Sequence, residues 1–491
     1  MKENKEAKPN DDIKYAHFKP YSSKKLVPVG FSCIQTTKEL SDKEVFDMID
    51  QAIYEVLGHE GLAKIIKPGY KVVIKVNLIG CSVGKRGEKN RGGITDPRIV
   101  RYVTKKVYNI IGNEGTADLK VVDATFYKDK NPSLKETDIS FYWARLERTR
   151  DNAVDRDDVC YDGNANGYLD GGSHARLINL DSLLEEDRDL TKVTMASTNE
   201  VTVCLPKLLR TREQAISEGS DEYCDVLIGL PILKSHGILG MTGAVKLHYG
   251  FRHYENMKGD DGRYGHNGCL PSEGGFLHKE LLCDYLSAEH IVRDYDFVIM
   301  DCLTGNRSGP MNLQSGLLYN DVSKNTNIDY ILINAVLASR DSVAIDTVET
   351  VLAGYNPDSV ELLTNAHENG LGTNDPSYIL LSGLDSFDKH RQYLYKKYSP
   401  DHYPFLNGHG GAQVLEKKTF EAKITFDEPK KLSEGNYAIW YKVEGPYSQQ
   451  LDLSRVELWI GRKRITPQPL LIRQAVNVEL LTKIQNSSRA N

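Results

Sequence analysis

No C-x-x-C pair occurs in this chain, and its eight cysteines stand far apart. That scatter gives no support to a cysteine-ligated zinc or iron–sulfur site, so no iron–sulfur cluster is expected, and it forms no disulfide framework. Long apolar runs are missing too: nothing approaches the roughly 20 uninterrupted apolar residues that cross a bilayer. An excess of one charge is also absent, with 62 Lys+Arg against 68 Asp+Glu, a net −6 over 491 residues. Such a balance supplies no global field for DNA, RNA or anionic lipid. Neither G-x-G-x-x-G after a strand nor G-x-x-x-x-G-K-[ST] is present, so no nucleotide-cofactor fingerprint is visible. Phe is scarce, 12 against 27 Tyr. Tyrosine joins an apolar ring to a polar tip and suits wet clefts.

What is present reads as a folded chain. Hydrophobic residues make up 40 % and charged residues 26 %, close to the globular average. The length suggests about two to four domains. Residues 1–24 are polar, carry no apolar leader core and read as a linker of the kind left when a signal or lipid anchor is removed. Export to the periplasm or cell surface is the expectation, with a cytoplasmic location as the alternative.

Apolar residues at helical spacing predict a helix over 43–57, closed by Gly58. Residues 70–77 are rich in β-branched side chains and predict a buried strand. Thr95-Asp96-Pro97 opens a helix running to 111, with Thr95 or Asp96 as cap and Pro97 in the first turn. A strand follows at 119–123. Strand–helix–strand at this spacing favours a parallel sheet. Residues 125–200 then read as a polar, irregular insertion. The α/β rhythm returns with strands at 224–230, 296–301 and 330–336 and a helix at 342–352. Beyond 415, alternating segments at 420–426, 436–443, 456–460 and 476–481 predict a small all-β domain. The expected fold is α/β, with a mostly parallel sheet and flanking helices over 25–414 and the β domain over 415–491.

The densest chemistry lies in 230–250, where Lys234, His236, Thr242, Lys246 and His248 follow a hydrophobic strand. Glycines 237, 240, 243 and 250 allow close backbone approach. Ligands of open α/β sheets bind beyond the carboxyl ends of strands, where this segment should lie. Two lysines and a histidine there could hold an anion or exchange protons. Lys75 and Asn77 sit in and after an apolar strand, and a buried lysine is costly unless paired. Thr95 stands at a helix start that could face an anion. Asp301 ends a strand and Asp346 lies in a helix after another, so either could take a proton or hold a divalent cation at the cleft. Tyr249, Tyr254 and Tyr264 cluster in and after the Lys/His segment and could line the cleft.

Within the insertion, Asp162-Gly-Asn-Ala-Asn-Gly-Tyr-Leu-Asp170 resembles a calcium loop. Asp162, Asn164, Asn166 and Asp170 supply oxygens at positions 1, 3, 5 and 9, Gly167 permits the turn, and Tyr168 offers its carbonyl at position 7. Ser173 stands where a bidentate Glu would complete the site. A structural Ca2+ is the expectation.

Lys75-Val-Asn77, Thr95-Asp96-Pro97, Leu230-Pro-Ile-Leu-Lys-Ser-His236, Thr242-Gly-Ala-Val-Lys246 with Gly250, and Ala338-Ser-Arg-Asp-Ser-Val-Ala-Ile-Asp346 occur in this order. Together they resemble domain-of-unknown-function family 362 over roughly 27–382, the insertion excepted, and Gly370-Leu-Gly372 fits as well. The resemblance implies an α/β fold and carries over Lys75, Asn77, Lys234, His236, Thr242, Lys246 and Asp346. This chain departs at Ser235, where Thr is usual, and at Leu247-His248, where Asn follows the second lysine. The cysteine cluster of the family's iron–sulfur members is absent.

The expectation is an enzyme that transfers protons as an isomerase, epimerase or lyase on an anionic, sugar-like molecule. Lys234, His236, Lys246, Asp301 and Asp346 are its candidate catalytic residues, and Lys75, Asn77, Thr95, Thr242 and His248 its candidate substrate-binding residues. An exported ligand-binding protein without turnover is the alternative, and a metal-dependent redox protein a weaker one. The expected partner is a small anion, with the β domain offering a surface to a glycan or protein; nucleic acid and membrane spans are not expected.

Overall fold

The computed structural model describes residues 14–21, 25–77, 95–112, 117–124, 168–169, 175–180, 183, 185–236, 238–251, 279–306, 330–402 and 412, and short strands between 423 and 485. Two compact units divide the chain, 1–374 with 381–415 and 375–380 with 416–491.

The strands of the first unit are, in chain order, β1 Lys14–His17, β2 Val27–Cys33, β3 Lys71–Val76, β4 Asp118–Asp123, β5 Tyr168–Leu169, β6 Ala175–Asn179, β7 Arg188–Thr194, β8 Glu200–Pro206, β9 Val226–Leu230, β10 Ile232–His236, β11 Gly240–Met241, β12 Phe297–Asn306 and β13 Tyr330–Ser339. Its helices are α1 Asp42–Leu57, α2 Pro97–Ile111, α3 Arg212–Ser217, α4 Ala244–Leu247, α5 Lys279–Val292, α6 Ser342–Leu352, α7 Glu361–Glu368 and α8 Leu384–His402.

The main sheet runs β2-β13-β12-β9-β3-β4-β6-β5. β12, β9, β3, β4 and β6 are mutually parallel, so the largely parallel α/β sheet expected from the sequence is present. One flank departs from it, since β13 runs antiparallel to both β12 and β2. Strand direction depends on the connection, and alternating apolar residues do not encode it.

Helix limits follow local chemistry. Ser41 and Glu44 form a reciprocal capping box at the start of α1, and Asp96 caps α2 through the Arg98 amide, contacts worth about 1 kcal/mol each. Val72, Ile74 and Val76 of β3 share one core with Val45, Ile49 and Ile53 of α1 and Ile99, Val103 and Val107 of α2. Two-residue periodicity then turns Lys75 to the opposite face, away from α1 and α2. That alternation positions the site.

Two stretches are more regular than the sequence suggested. Lys14–His17, inside the predicted linker, pairs in parallel with β7, and β7 pairs with β8. Both β7 and β8 alternate buried and exposed residues, a pattern that the high polar content of the region obscured. In the second unit, Lys423–Phe426 pairs antiparallel with Tyr441–Glu444, Lys430–Ser433 with Asn436–Ala438, and Leu458–Ile460 with Lys463–Ile465.

Candidate functional site: a lysine-lined pocket

Beyond the carboxyl ends of β3 and β4, a pocket with about 380 Å³ of space, its open mouth included, is lined by Lys75, Asn77, Asp123, Lys234, Thr242, Lys246 and Tyr249 among others. Five of the ten residues proposed from the sequence as catalytic or substrate-binding therefore meet here: Lys75, Asn77, Lys234, Thr242 and Lys246.

Each is held by its element. Lys75 is 1 % exposed and forms an ion pair with Asp123 at 2.5 Å, and it also donates to the Val76 carbonyl. Asp123 ends β4 and accepts the Ala124 amide at 2.8 Å on the same oxygen. A side chain on Gly250 would collide with Lys75 Nζ and lie 2.6 Å from Asp123 Oδ1, so this position must lack a Cβ for the ion pair to exist. Pro231 separates β9 from β10, and β10 carries Lys234, whose Nζ reaches Asn77 Oδ1 at 3.4 Å. Thr242 donates its hydroxyl to the Lys234 carbonyl at 3.0 Å, which ties the turn after β10 back onto that strand.

Lys246 stands on the single-turn helix α4, 8 % exposed, with its Nζ 4.2 Å from the centre of the Tyr249 ring. Among the described residues its ammonium has no hydrogen bond and no ion pair. Burial, followed by the like charge of Lys234, pushes its pKa down to about 7. The Lys75 pKa is also lowered, chiefly by burial, with Asp123 and Glu289 opposing. Three buried amines thus surround one carboxylate in the lining, an arrangement costly to folding and typical of functional sites.

The other five proposed residues are not in the pocket's lining. Asp346 accepts the Ala244 and Val245 amides at 2.7 and 2.9 Å, which fixes the start of α4. Gly243, at φ 109°, brings the backbone so close that a Cβ would sit 2.5 Å from the Asp346 carboxyl. Burial holds the Asp346 pKa well above the usual carboxylate range. His236 uses Nδ1 to accept the Ile238 and Leu239 amides at 3.2 and 3.1 Å and so closes the turn after β10. Asp301 accepts the Asp96 and Leu303 amides, and burial, then Asp96, raises its pKa to about 7. Thr95 donates to the Leu230 carbonyl and accepts the Asn77 amide, joining the ends of β3 and β9. In each of these four the backbone contacts give the side chain a positioning role: the oxygens of Asp346, Asp301 and Thr95 and the Nδ1 of His236 hold main-chain groups.

His248 is fully buried, its ring tilted against that of His290 with centres 3.6 Å apart and edge-on to Tyr295. It does not line the pocket. Burial, then His290, holds its pKa well below that of ordinary histidine. His248, His290 and Asp294 bring candidate ligand atoms within 4.8 Å of one another. However, His290 already bonds Asp294 through Nδ1 at 2.7 Å and the Val245 carbonyl through Nε2 at 3.1 Å. The ring therefore holds α4 by the Val245 carbonyl, as Asp346 holds it by two amides. In the pocket itself three lysines share the lining with Asp123, while Asp301 and Asp346 accept backbone amides outside it.

Asp123 is the charged pocket residue that the sequence reading missed. Its signal was legible: it is the last residue of a parallel strand, where ligand-facing groups gather. Tyr249 lines the pocket as the tyrosine cluster suggested, and Tyr254 and Tyr264 lie outside the described residues. So do Asp162, Asn164, Asn166 and Asp170 of the calcium loop; Tyr168 begins β5 and stands opposite Arg176 of β6.

Residues 173–350 match DUF362, a domain of unknown function. The DUF362 segment contains Lys234, Thr242, Lys246 and the anchors of α4, whereas Lys75, Asn77 and Asp123 precede it. Among solved structures, the lactate racemase apoprotein from Thermoanaerobacterium thermosaccharolyticum aligns at 12 % identity and a TM-score of 0.29, over 68 % of this chain and 61 % of its own. This chain thus spans about three fifths of that protein's length. No curated protein matches the sequence. Among the described residues, no helix is long and apolar enough to cross a membrane.

Proposed function

We propose that the pocket binds a small anion and that the protein is an enzyme transferring protons on it, with Lys246 as the exchanging group. One observation carries this reading: three buried amines converge on one pocket, and among the described residues Lys246 has no carboxylate partner. Lys75, fixed by Asp123, and Lys234, beside Asn77, supply positive charge to a carboxylate or phosphate. In a partly dehydrated cleft such charge acts more strongly than it does in water. A lysine near pH 7 holds both protonation states in comparable amounts, which suits general acid–base work. Thr242 and Asn77 add polar groups suited to sugar-like hydroxyls.

The structural Ca2+ in the 162–170 loop and export from the cytoplasm remain part of the proposal, both supported by the loop's oxygen spacing. Calcium titration monitored by calorimetry tests the first.

Proton NMR in D2O tests the enzyme reading. Sugar acids, sugar phosphates and short carboxylic acids are incubated with the protein and followed for loss of C–H signals. Loss of one signal with wild type, slowed by about 10²- to 10⁴-fold in Lys246→Met, is expected. Saturable retention of these anions without exchange indicates a binding protein instead. Failure to retain any of them overturns the proposal.

A further inference from the structure

The chemistry of Lys246 extends beyond proton exchange. Its Nζ points into a pocket that opens to solvent, and the other two amines of the lining are engaged, Lys75 with Asp123 and Lys234 with Asn77. A desolvated lysine beside other cations is the arrangement that makes an amine nucleophilic towards carbonyl carbon. The Tyr249 face, 4.2 Å from Nζ, attracts a cation and would do the same for an iminium. Asp346 and His290 hold α4 by its backbone, through the Ala244 and Val245 amides and the Val245 carbonyl. The amine is thereby presented from a fixed base.

We infer that Lys246 forms a Schiff base with an aldehyde or ketone that carries a carboxylate or phosphate, the anion being held by Lys75 and Lys234. The inference rests on the anion-binding part of the function proposed above and is independent of which group accepts a proton. In the condensation, Nζ bonds to the carbonyl carbon and the C–O bond breaks. Oxygen leaves as water with one proton from the amine and one from solvent, and an iminium remains. No oxidation state changes, so no further reactant is required.

The test is trapping by borohydride, with pyruvate and pyridoxal 5′-phosphate as the two probes. Intact mass and peptide mapping read the site of the reduced adduct, and inorganic phosphate serves as competitor. The expected result is an adduct at Lys246 from at least one probe, formed faster than on surface lysines and suppressed by phosphate. Lys246→Arg, which keeps the charge but cannot form the imine, should lose that adduct while the adducts on surface lysines persist. Adducts confined to surface lysines, or no adduct, in a wild-type protein that still binds phosphate overturn this inference and leave the anion pocket standing. Absence of phosphate and pyruvate binding together with absence of the adduct overturns both.

Discussion

Lys75 and Asp123, 48 positions apart, form a 2.5 Å ion pair with both side chains almost wholly buried. Each lies at the carboxyl end of its own parallel strand, and β3–β4 pairing places Lys75 opposite Val122, one residue before Asp123. Asp123 thus fixes the Lys75 ammonium in the lining, and one carboxylate there is set against three lysines, which leaves the lining net positive.

Breaking this pair should be far worse than replacing it. Asp123→Ala leaves a buried ammonium uncompensated and is expected to destabilise the protein by about 3–5 kcal/mol. The double variant Lys75→Met, Asp123→Leu should recover most of that loss while reducing anion affinity. Urea unfolding midpoints compared with phosphate calorimetry measure the two effects separately. Equal stability of the single and double variants would contradict the account.

The protonation of Lys246 predicts two opposite trends with pH. Anion binding needs the ammonium, so affinity for phosphate should fall as pH rises through about 7. Stability moves the other way. The folded-state pKa of about 7 lies below the ordinary 10.5, so between those values the unfolded chain binds more protons and stability rises with pH. Lys246→Met should flatten both trends and stabilise the protein most on the acid side of that window. Calorimetry and urea titrations over this range provide the check.

Asp346 acts through the backbone of α4. Asp346→Ala leaves two buried amides without their acceptor, at about 1–3 kcal/mol each, and should weaken phosphate binding although the residue does not line the pocket. Asp346→Asn, which retains a carbonyl acceptor, should restore part of both. An unchanged phosphate affinity in Asp346→Ala would remove the positioning role.

His236 separates structure from chemistry. His236→Ala should lower stability by about 1–3 kcal/mol, because the Ile238 and Leu239 amides lose their acceptor. Its pH dependence of anion binding should match that of wild type. A displaced pH profile would return His236 to the proton-transfer machinery.

The outline of the α/β body was legible because local signals set its element limits. The Asp96-Pro97 start of α2 and the Gly58 close of α1 are short-range chemistry, and the helices lie where they indicated. Lys75 was legible as an anomaly, a charge within an apolar strand. Lys234, Thr242 and Lys246 were legible as chemistry placed after a strand. Partner choice was not. His236, Asp301 and Asp346 are side chains suited to catalysis, and only the fold reveals that backbone amides occupy them. The antiparallel pairing of β13 was hidden for a related reason, since apolar periodicity reports burial and carries no information on strand direction.

Competitive acylation of lysines, followed by mass spectrometry from mildly acidic to strongly basic pH, tests the central claim most directly. Lys246 should react with a midpoint near 7, well below the surface lysines, and saturating phosphate should protect it. A Lys246 profile that follows the surface lysines towards 10.5, unchanged by phosphate, would contradict a lysine pocket built to bind an anion beside a reactive amine.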